Sequence, residues 1–180
     1  MGLNNMKKLN LGCSTDYLEG WVNLDLAKGK DIYGRNVKVD VVWDLNKYPY
    51  PFKDNEFEVV RAFAIMEHLN SPIKTMEEIK RITKHGGTIE IIVPHFSNHR
   101  NYSDPTHKWT YSVQAIENPL INQGCLIIKS KILFSENKFL RGLNFIPNIH
   151  QKAYERYFAW MFPSNGVYWE LMVNKAVNNR

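Results

Sequence analysis

A strand, a helix and a second strand follow one another in the middle of the chain, and this succession constrains the fold more than any other feature. Residues 57–63 are rich in Val and Phe, and residues 88–93 are strongly β-branched, as buried strands are. A helix is predicted over residues 71–83, with Ser71 as its N-cap and Pro72 at its first position. Strands that alternate with helices and loops indicate an α/β domain with a mostly parallel sheet.

Five further strands are predicted from short apolar or alternating runs. They cover residues 9–13, 21–26, 37–45, 126–134 and 168–177. Gly86 and Gly87 are expected to end the helix, because glycine is common directly after a helix.

Length and composition favour a soluble single domain. The chain has 180 residues, of which 44% are hydrophobic and 23% are charged, close to the globular average. No apolar run is long enough to cross a bilayer, and residues 1–9 are polar and basic, so no secretory signal is expected there. Cys13 and Cys125 are too few for a disulfide framework or a four-cysteine zinc site, so a cytoplasmic location is expected.

The formal net charge of +5 is mild, and the basic residues are scattered along the chain. No basic run carries the interleaved aromatic residues that a nucleic-acid groove uses, so a nucleic-acid partner is disfavoured. Aromatic residues make up 13% of the chain, and many of them lie in its second half.

Residues with useful chemistry fall at the ends of the predicted strands. They are Gly12, Asp25, Asp44, Phe63 and His95. In open α/β sheets, ligands bind outside the carboxyl ends of the strands, at the point where the strand order reverses. The sequence therefore predicts a binding cleft at this edge.

Several motifs follow one another in a fixed order. They are Leu11-Gly12-Cys13, Val22-Asn23-Leu24-Asp25, the Tyr-Pro-Phe segment from Tyr50 with Asp54-Asn55 and the strand that follows, Met66-Glu67-His68-Leu69, and His85-Gly86-Gly87. In this order they resemble the class I S-adenosylmethionine-dependent methyltransferases, most closely the small-molecule group with Leu-Glu-His after its fourth strand. The resemblance runs from Leu9 to Pro94. It implies a three-layer Rossmann-like fold with an antiparallel C-terminal strand, and S-adenosyl-L-methionine as the cofactor.

The resemblance also implies cofactor-binding residues. They are Gly12, Cys13, Asp25, Leu26, Asp44, Leu45, Phe63, Ala64 and His68. Gly12 matches the glycine where the backbone approaches the methionine part of the cofactor, and Asp25 matches the acid that holds the ribose hydroxyls. Phe63 and Ala64 match the wall beside the methionine part.

Asp44 and Leu45 match the pair that faces the adenine, but simpler interpretations remain open for several positions. Asp25 could cap a turn, and Asp44 could cap Asn46. His68 has either a structural or a catalytic role. Cys13 is interpreted as a small buried residue rather than a nucleophile.

The chain departs from the family after its first strand. The family usually has Gly-x-Gly-x-Gly there, whereas this chain has Gly12-Cys13-Ser14-Thr15-Asp16. Too few residues separate Cys13 from Trp21 for a crossover helix, which needs about ten residues plus turns. The first helix is therefore predicted to be missing or reduced, which weakens the expectation of tight cofactor binding.

Residues 94–109 follow the fifth predicted strand and are dense in polar side chains, so they are the predicted acceptor loop. His95 or His107 is the expected catalytic base, with Asp104 orienting it, unless Asp104 only forms a turn. His95, His99, Asp104 and His107 are acceptable metal ligands, but their spacing matches no metal motif, and no metal is predicted.

A single domain is expected over residues 1–180, with the cofactor half at about 9–94 and the acceptor side at 95–180. An aromatic-rich insertion at about 137–163 could cover the substrate cleft, form a homodimer contact or cover the sheet.

The leading functional prediction is methyl transfer to a small-molecule or sugar-like acceptor, at a hydroxyl group. Phe63-Ala64-Ile65-Met66 stands where base-modifying enzymes have Asn/Asp-Pro-Pro-Tyr/Phe, which argues against N-methylation of bases. The alternatives are a non-catalytic binding domain with the same fold and, less favoured, an RNA-directed methyltransferase.

Overall fold

A seven-stranded sheet forms the centre of the computed structural model, which describes residues 6–31, 34–135 and 141–178. The strands of this sheet are β1 (Lys8–Leu11), β2 (Val22–Asp25), β5 (Val41–Val42), β6 (Phe57–Phe63), β7 (Thr83–Pro94), β8 (Leu126–Leu133) and β9 (Gly166–Met172). Their order across the sheet is β5-β2-β1-β6-β7-β9-β8. A separate antiparallel pair consists of β3 (Gly29–Lys30) and β4 (Asn36–Val37).

The sheet is parallel from β5 to β7, and only β9 runs against its neighbours β7 and β8. Leu9, Val60, Ile89 and Leu171 form one row across four adjacent strands, and each is fully buried. A row of this kind loses all contact with water on folding and is a major source of stability. The predicted mostly parallel sheet with one antiparallel strand is confirmed.

The helix α1 (Pro72–Ile82) begins as predicted, with the Ser71 hydroxyl accepting a hydrogen bond from the Lys74 amide at 3.3 Å. It ends at Ile82, before the two glycines. Thr83 already has extended backbone, and as the first residue of β7 it pairs with Phe57 of β6. The predicted glycine stop at Gly86 and Gly87 is therefore wrong, because a β-branched residue opposite an available strand continues the chain as sheet.

Other helical segments are short, and α1 is the longest helix in the described part of the chain. They are α2 (Arg100–Ser103), α3 (Pro119–Asn122), α4 (Ile146–Ile149), α5 (Gln151–Ala153), a π-helical turn (Tyr154–Phe158) and 3₁₀ turns at Met66–His68, Val113–Glu117, Arg141–Phe145 and Lys175–Asn178. Within the described ranges, no helix has the length and apolar character needed to cross a membrane.

The predicted strand at 37–45 is broken in the structure. Val37 belongs to β4, and only Val41–Val42 joins the main sheet as β5. Between them, the Asp40 carboxylate accepts the Asn23 amide at 2.8 Å, so a side chain takes the place of a strand partner. The last strand, predicted over 168–177, lies at Gly166–Met172 instead.

No helix forms between β1 and β2, where residues 12–21 are turns and extended loop. This confirms the prediction that the first crossover helix is missing. Two buried amides fasten the short connection instead. Asn10 is 3% exposed and Asn23 is fully buried, and the Asn10 amide donates to the Asn23 side-chain oxygen at 3.2 Å.

The Asn23 side chain is the centre of this network. Its oxygen accepts the Leu18 amide at 2.9 Å, and its nitrogen donates to the Leu18 carbonyl at 2.9 Å. The same nitrogen lies within hydrogen-bond distance of the Trp21 carbonyl and the Asp40 carboxylate. One buried amide therefore satisfies backbone groups that a crossover helix would otherwise satisfy internally.

We expect Asn23→Ala to lower the free energy of unfolding by about 2–4 kcal/mol, because it removes several hydrogen bonds and leaves buried backbone groups without partners. Urea unfolding measures this change. Asn36→Ala is the matched control, since Asn36 is exposed and its loss should cost no more than about 0.5 kcal/mol. Equal losses in the two variants would contradict the assigned role of the network.

Candidate functional site

A cavity of about 560 Å³ opens at the carboxyl ends of β1, β2 and β6. Seven of the nine predicted cofactor positions line it: Gly12, Cys13, Asp25, Leu26, Phe63, Ala64 and His68. The other two, Asp44 and Leu45, line an adjoining cavity of about 170 Å³. The two cavities share Gly12, Asp25, Leu26, Ile65 and His68. The structure thus brings all nine residues to one edge of the sheet.

Gly12 turns the chain at the end of β1 with a φ of 65°, which favours glycine. Its amide donates to the Leu24 carbonyl at 2.8 Å. A Cβ at this position would lie 2.5 Å from Cγ1 of Ile65, whose side chain lines both cavities. The absent side chain therefore allows the loop after β6 to pack directly against the end of β1.

Asp25 at the end of β2 organises the loops around the cavity. Its Oδ2 accepts the Ser14 amide at 2.8 Å, and its Oδ1 accepts the Ala27 amide at 3.1 Å. Asp25 therefore caps a turn, as one of the two interpretations of the sequence expected. Because each carboxylate oxygen can accept a second hydrogen bond, the half-buried carboxylate still has capacity for the two hydroxyls of a ribose.

Three further predicted cofactor positions, Asp44, Leu45 and Leu26, differ from each other in exposure. Asp44 Oδ1 accepts the Asn46 amide at 2.9 Å, which is the turn cap considered from the sequence. Leu45 is buried in the core, whereas the side chain of Leu26 is 66% exposed. Of these three, only Leu26 offers an open apolar surface to a planar ring.

Cys13 is buried, and its thiol lies 3.7 Å from the Lys38 carbonyl. Burial and the nearby Asp25 carboxylate raise the pKa of the Cys13 thiol to about 11. A thiol with so high a pKa is a poor nucleophile at neutral pH. Cys13 therefore contributes packing and backbone to the cavity wall.

A second cavity of about 560 Å³ lies on the acceptor side. Its polar lining includes Glu67, Arg100, Ser103, Asp104 and His107. It shares lining residues, among them Ala64, His68 and Asp104, with the first cavity. Two of the three predicted catalytic residues, Asp104 and His107, therefore lie beside the predicted cofactor position, with His107 Nε2 3.8 Å from Asp104 Oδ2.

Asp104 is held by Thr106. Its Oδ1 accepts the Thr106 hydroxyl at 2.6 Å and the Thr106 amide at 2.9 Å. These hydrogen bonds hold the pKa of the Asp104 carboxyl below its ordinary value. The same hydroxyl lies 2.9 Å from Nδ1 of His68, which connects the acceptor loop to the segment after β6.

His95 does not line the cavities that hold the other predicted site residues. It is fully buried, with Nδ1 2.8 Å from the Ser97 hydroxyl and Nε2 3.1 Å from Oε1 of Glu155. A catalytic base needs an exposed ring nitrogen, and His95 has none. The structure therefore corrects the prediction of His95 as a base. The aromatic-rich segment at 141–163 contains Glu155, and this residue closes over the His95 ring.

Glu155 is the buried partner of this pair and is 8% exposed. Burial alone would raise the pKa of Glu155. Hydrogen bonds from His95, the Val113 amide and the Gln114 side chain more than offset burial, so the pKa lies below its ordinary value. The ionised carboxylate therefore stabilises the packing of the π-helical turn against the end of β7.

Glu67 and His68 contribute more to the acceptor side than the sequence indicated. Glu67 is 1% exposed, and its Oε2 has no hydrogen-bond partner. Burial raises the pKa of Glu67 to about 7. The His68 ring packs edge-on against His107 with ring centroids 4.7 Å apart, and burial lowers its pKa. The Glu-His motif was visible in the sequence, but its contact with His107 was not.

The aromatic segment presents a large apolar surface away from these cavities. Phe145, Ile149, Tyr157, Trp160 and Met161 are all more than 60% exposed. An apolar cavity of about 570 Å³ in this segment shares no lining residue with the three cavities described above. The predicted homodimer contact remains a prediction, and residues 137–140 of the predicted insertion lie outside the described residues.

Residues 9–91 match the family model described as a methyltransferase domain. The sheet order, the single antiparallel strand and the position of the cavity agree with this match. Over these residues the chain is similar to methyltransferase domains.

Two curated relatives match shorter stretches of this chain. An uncharacterised methyltransferase of Schizosaccharomyces pombe is 40% identical over 42 residues, 23% of this chain and 15% of that protein. An uncharacterised protein of Methanocaldococcus jannaschii is 31% identical over 80 residues, 44% of this chain and 32% of that protein. The matches thus span less than a third of either relative.

Solved structures share the whole fold. A S-adenosylmethionine-dependent methyltransferase from Mesorhizobium loti has a TM-score of 0.64 at 11% identity, over 93% of this chain and 90% of that chain. One from Archaeoglobus fulgidus has a TM-score of 0.64 at 17% identity, over 93% of this chain and 86% of that chain. At these identities the likeness concerns the fold alone.

We expect Gly12→Ala to destabilise the methyltransferase fold more than Gly20→Ala does. Both glycines have positive φ, so both variants carry backbone strain of about 1 kcal/mol. Only at Gly12 does the added methyl group meet another side chain, whereas nothing lies within 4 Å at Gly20. The difference between the two melting curves isolates the Ile65 contact, and identical curves would contradict it.

We expect Glu155→Gln to lower stability at neutral pH by about 2 kcal/mol, because it removes charged hydrogen bonds to a buried carboxylate. The pKa of Glu155 is lower in the folded than in the unfolded chain, so its contribution is present above the unfolded value of about 4.5. This contribution is lost as the pH falls through the folded pKa. Urea unfolding across this range should therefore show wild type and variant converging in acid.

Glu117→Gln is the matched control for this experiment, because Glu117 is exposed and its carboxylate lies 3.5 Å from the Lys152 ammonium group in an exposed ion pair. This substitution should change the free energy of unfolding only slightly at every pH. If the free energies of unfolding of wild type and Glu155→Gln differ by the same amount down to acid pH, the effect comes from packing and not from charge.

Proposed function

We propose that the chain transfers a methyl group from S-adenosyl-L-methionine to a hydroxyl of a small-molecule or sugar-like acceptor. The observation that carries the proposal is the shared wall of the two large cavities, formed in part by Ala64, His68 and Asp104. Methyl transfer needs the acceptor atom in line behind the methyl carbon. Two adjoining cavities, one with the family's cofactor positions and one with polar side chains, suit that requirement.

The residues of the first cavity fit the cofactor. Gly12 lines this cavity, and its missing side chain makes room for Ile65, which lines the cavity beside it. Asp25 keeps lone pairs for the ribose hydroxyls, and Leu26 offers an exposed apolar side chain. When bound, the cofactor supplies an electrophilic methyl group, and these residues bind and orient it.

The acceptor side holds groups that can receive the hydroxyl proton. Asp104 and His107 both line the acceptor cavity, and their side chains lie 3.8 Å apart at the closest ion-pair atoms. An acceptor hydroxyl becomes a better nucleophile when a positioned base takes its proton. We assign that role to the pair formed by Asp104 and His107.

The missing first helix is the main argument for the alternative, a non-catalytic binding domain with the same fold. A helix N-terminus favours the binding of anions such as a carboxylate, and residues 12–21 form none. Calorimetry with S-adenosylmethionine and its demethylated product separates the two functions. Binding of both ligands supports the enzyme, whereas no detectable binding of either would overturn the proposal.

We expect Asp25→Ala to raise the dissociation constant for S-adenosylmethionine by about 10-fold or more, since two charge-assisted hydrogen bonds are lost. His107→Ala should change cofactor binding by less than about twofold and reduce methyl transfer instead, because His107 lines only the acceptor cavity. Calorimetry measures the first effect and transfer of labelled methyl groups the second. The reverse order would show that the two cavities have been assigned to the wrong ligands.

A panel of small acceptors tests the reaction type. We expect transfer to hydroxyl compounds, and to sugars among them, with product identified by mass spectrometry. Amine and carboxylic acid compounds of similar size are the controls. Methylation of only those controls would contradict the hydroxyl assignment while leaving the methyltransferase activity intact.

A further inference from the structure

We propose that Glu67, His68 and His107 form a binding site for a divalent first-row transition metal ion. One ligand atom from each of these residues lies within 4.8 Å of the other two. Across the described ranges, this is the one group of three or more such side chains with that geometry. The site lies at the acceptor cavity, which all three residues line.

The carboxylate of Glu67 is the first argument for an ion. Its Oε2 is buried and has no hydrogen-bond partner, which is costly for a polar atom. The nearby backbone amides of Lys108 and Trp109 donate to the Glu67 carbonyl and not to its side chain. A metal ion between this carboxylate and the two histidines would satisfy the unpartnered oxygen.

The hydrogen bonds around His68 leave one ring nitrogen free to coordinate an ion. The Thr106 hydroxyl has a single proton and donates it to Asp104 Oδ1 at 2.6 Å. Thr106 therefore accepts at its 2.9 Å contact with His68, so Nδ1 of His68 carries the proton. The lone pair then lies on Nε2, which is the arrangement of a metal-binding histidine with a second hydrogen-bond partner.

His107 is fixed in the same way by Asn101. The Asn101 side-chain nitrogen donates to the His95 carbonyl at 2.6 Å, so its oxygen faces His107. That oxygen lies 3.4 Å from Nδ1 of His107, which must therefore carry the proton. Nε2 of His107 is left unprotonated. Two independent hydrogen-bond chains thus prepare both histidines as ligands.

The donor set indicates the class of ion. Two imidazole nitrogens and one carboxylate suit zinc, iron or cobalt, whereas magnesium and calcium prefer oxygen ligands alone. Asp104 lies beside this group, with its Oδ2 3.8 Å from His107 Nε2. The remaining positions would face the acceptor cavity.

The absence of a metal motif in the sequence follows from how the ligands are distributed. Glu67 and His68 follow β6, whereas His107 lies in the loop after β7. Of the four residues weighed from the sequence, His95 is buried beside Glu155 and His99 is exposed outside the cluster. Only the fold brings His107 to the Glu-His pair.

A bound ion would face an acceptor in the same cavity. Such an ion can coordinate oxygen atoms and lower the pKa of a coordinated hydroxyl. His107 would then be a ligand, and Asp104 would remain as the proton acceptor. The metal site itself does not depend on methyl transfer, so its test is made without S-adenosylmethionine.

The test uses the full chain without a histidine tag, stripped of metal with a chelator and then dialysed. Addition of Co²⁺ should produce visible d–d absorption that saturates at one equivalent, and calorimetry with Zn²⁺ should give the same stoichiometry. No saturable binding of either ion below about 1 mM, an affinity of only about 4 kcal/mol, would overturn the proposal.

Variants locate the ion. We expect Glu67→Gln and His107→Ala each to weaken Co²⁺ binding by at least about 10-fold, and Thr106→Val to weaken it through the His68 ring. His99→Ala is the matched control, because His99 is an exposed histidine of the same loop and lies outside the cluster. It should bind as wild type does.

Thermal unfolding without metal confirms that each variant is folded before titration. If His107→Ala is unfolded, Thr106→Val and Glu67→Gln decide the question. Wild-type affinity in the folded Glu67, His107 and Thr106 variants, or equal weakening in His99→Ala, would overturn the site. Metal binding without methyl transfer would leave the site standing and contradict only the proposed function.

Discussion

The buried side chain of Asn23 is the constraint on which the rest of the site depends. It fastens a connection between β1 and β2 that is too short for a helix, by pairing with Leu18, Trp21 and Asp40. The ends of β1 and β2 carry Gly12 and Asp25, so this network also sets where these two predicted cofactor positions lie. A single buried amide thus gives the support that a crossover helix would otherwise give.

The acceptor side depends on a second chain of polar contacts, from Asp104 through Thr106 to His68. Because His68 lines both large cavities, the loop after β7 and the segment after β6 are held together at the boundary between them. The same contacts orient the ring that we propose as a metal ligand. Positioning of the acceptor and of an ion would therefore share one set of hydrogen bonds.

Much of the fold could be predicted because it follows from local patterns. The Ser71-Pro72 signal placed the start of α1 correctly, and the β-branched run before Pro94 placed β7. The short spacing between Cys13 and Trp21 correctly predicted the missing helix. The glycine stop failed because Thr83 found a strand partner in Phe57, which no local pattern reveals.

Motif order and strand ends are properties of the chain, so local patterns were enough to predict the α/β class and the residues that meet at the carboxyl ends of the strands. Which polar side chains contact each other could be seen only in the folded structure. It buried His95 against Glu155, which lies 60 positions further along the chain, and brought His107 to His68. Such contacts depend on how segments far apart in the sequence pack together, and the spacing of residues along the chain does not reveal which of them will meet.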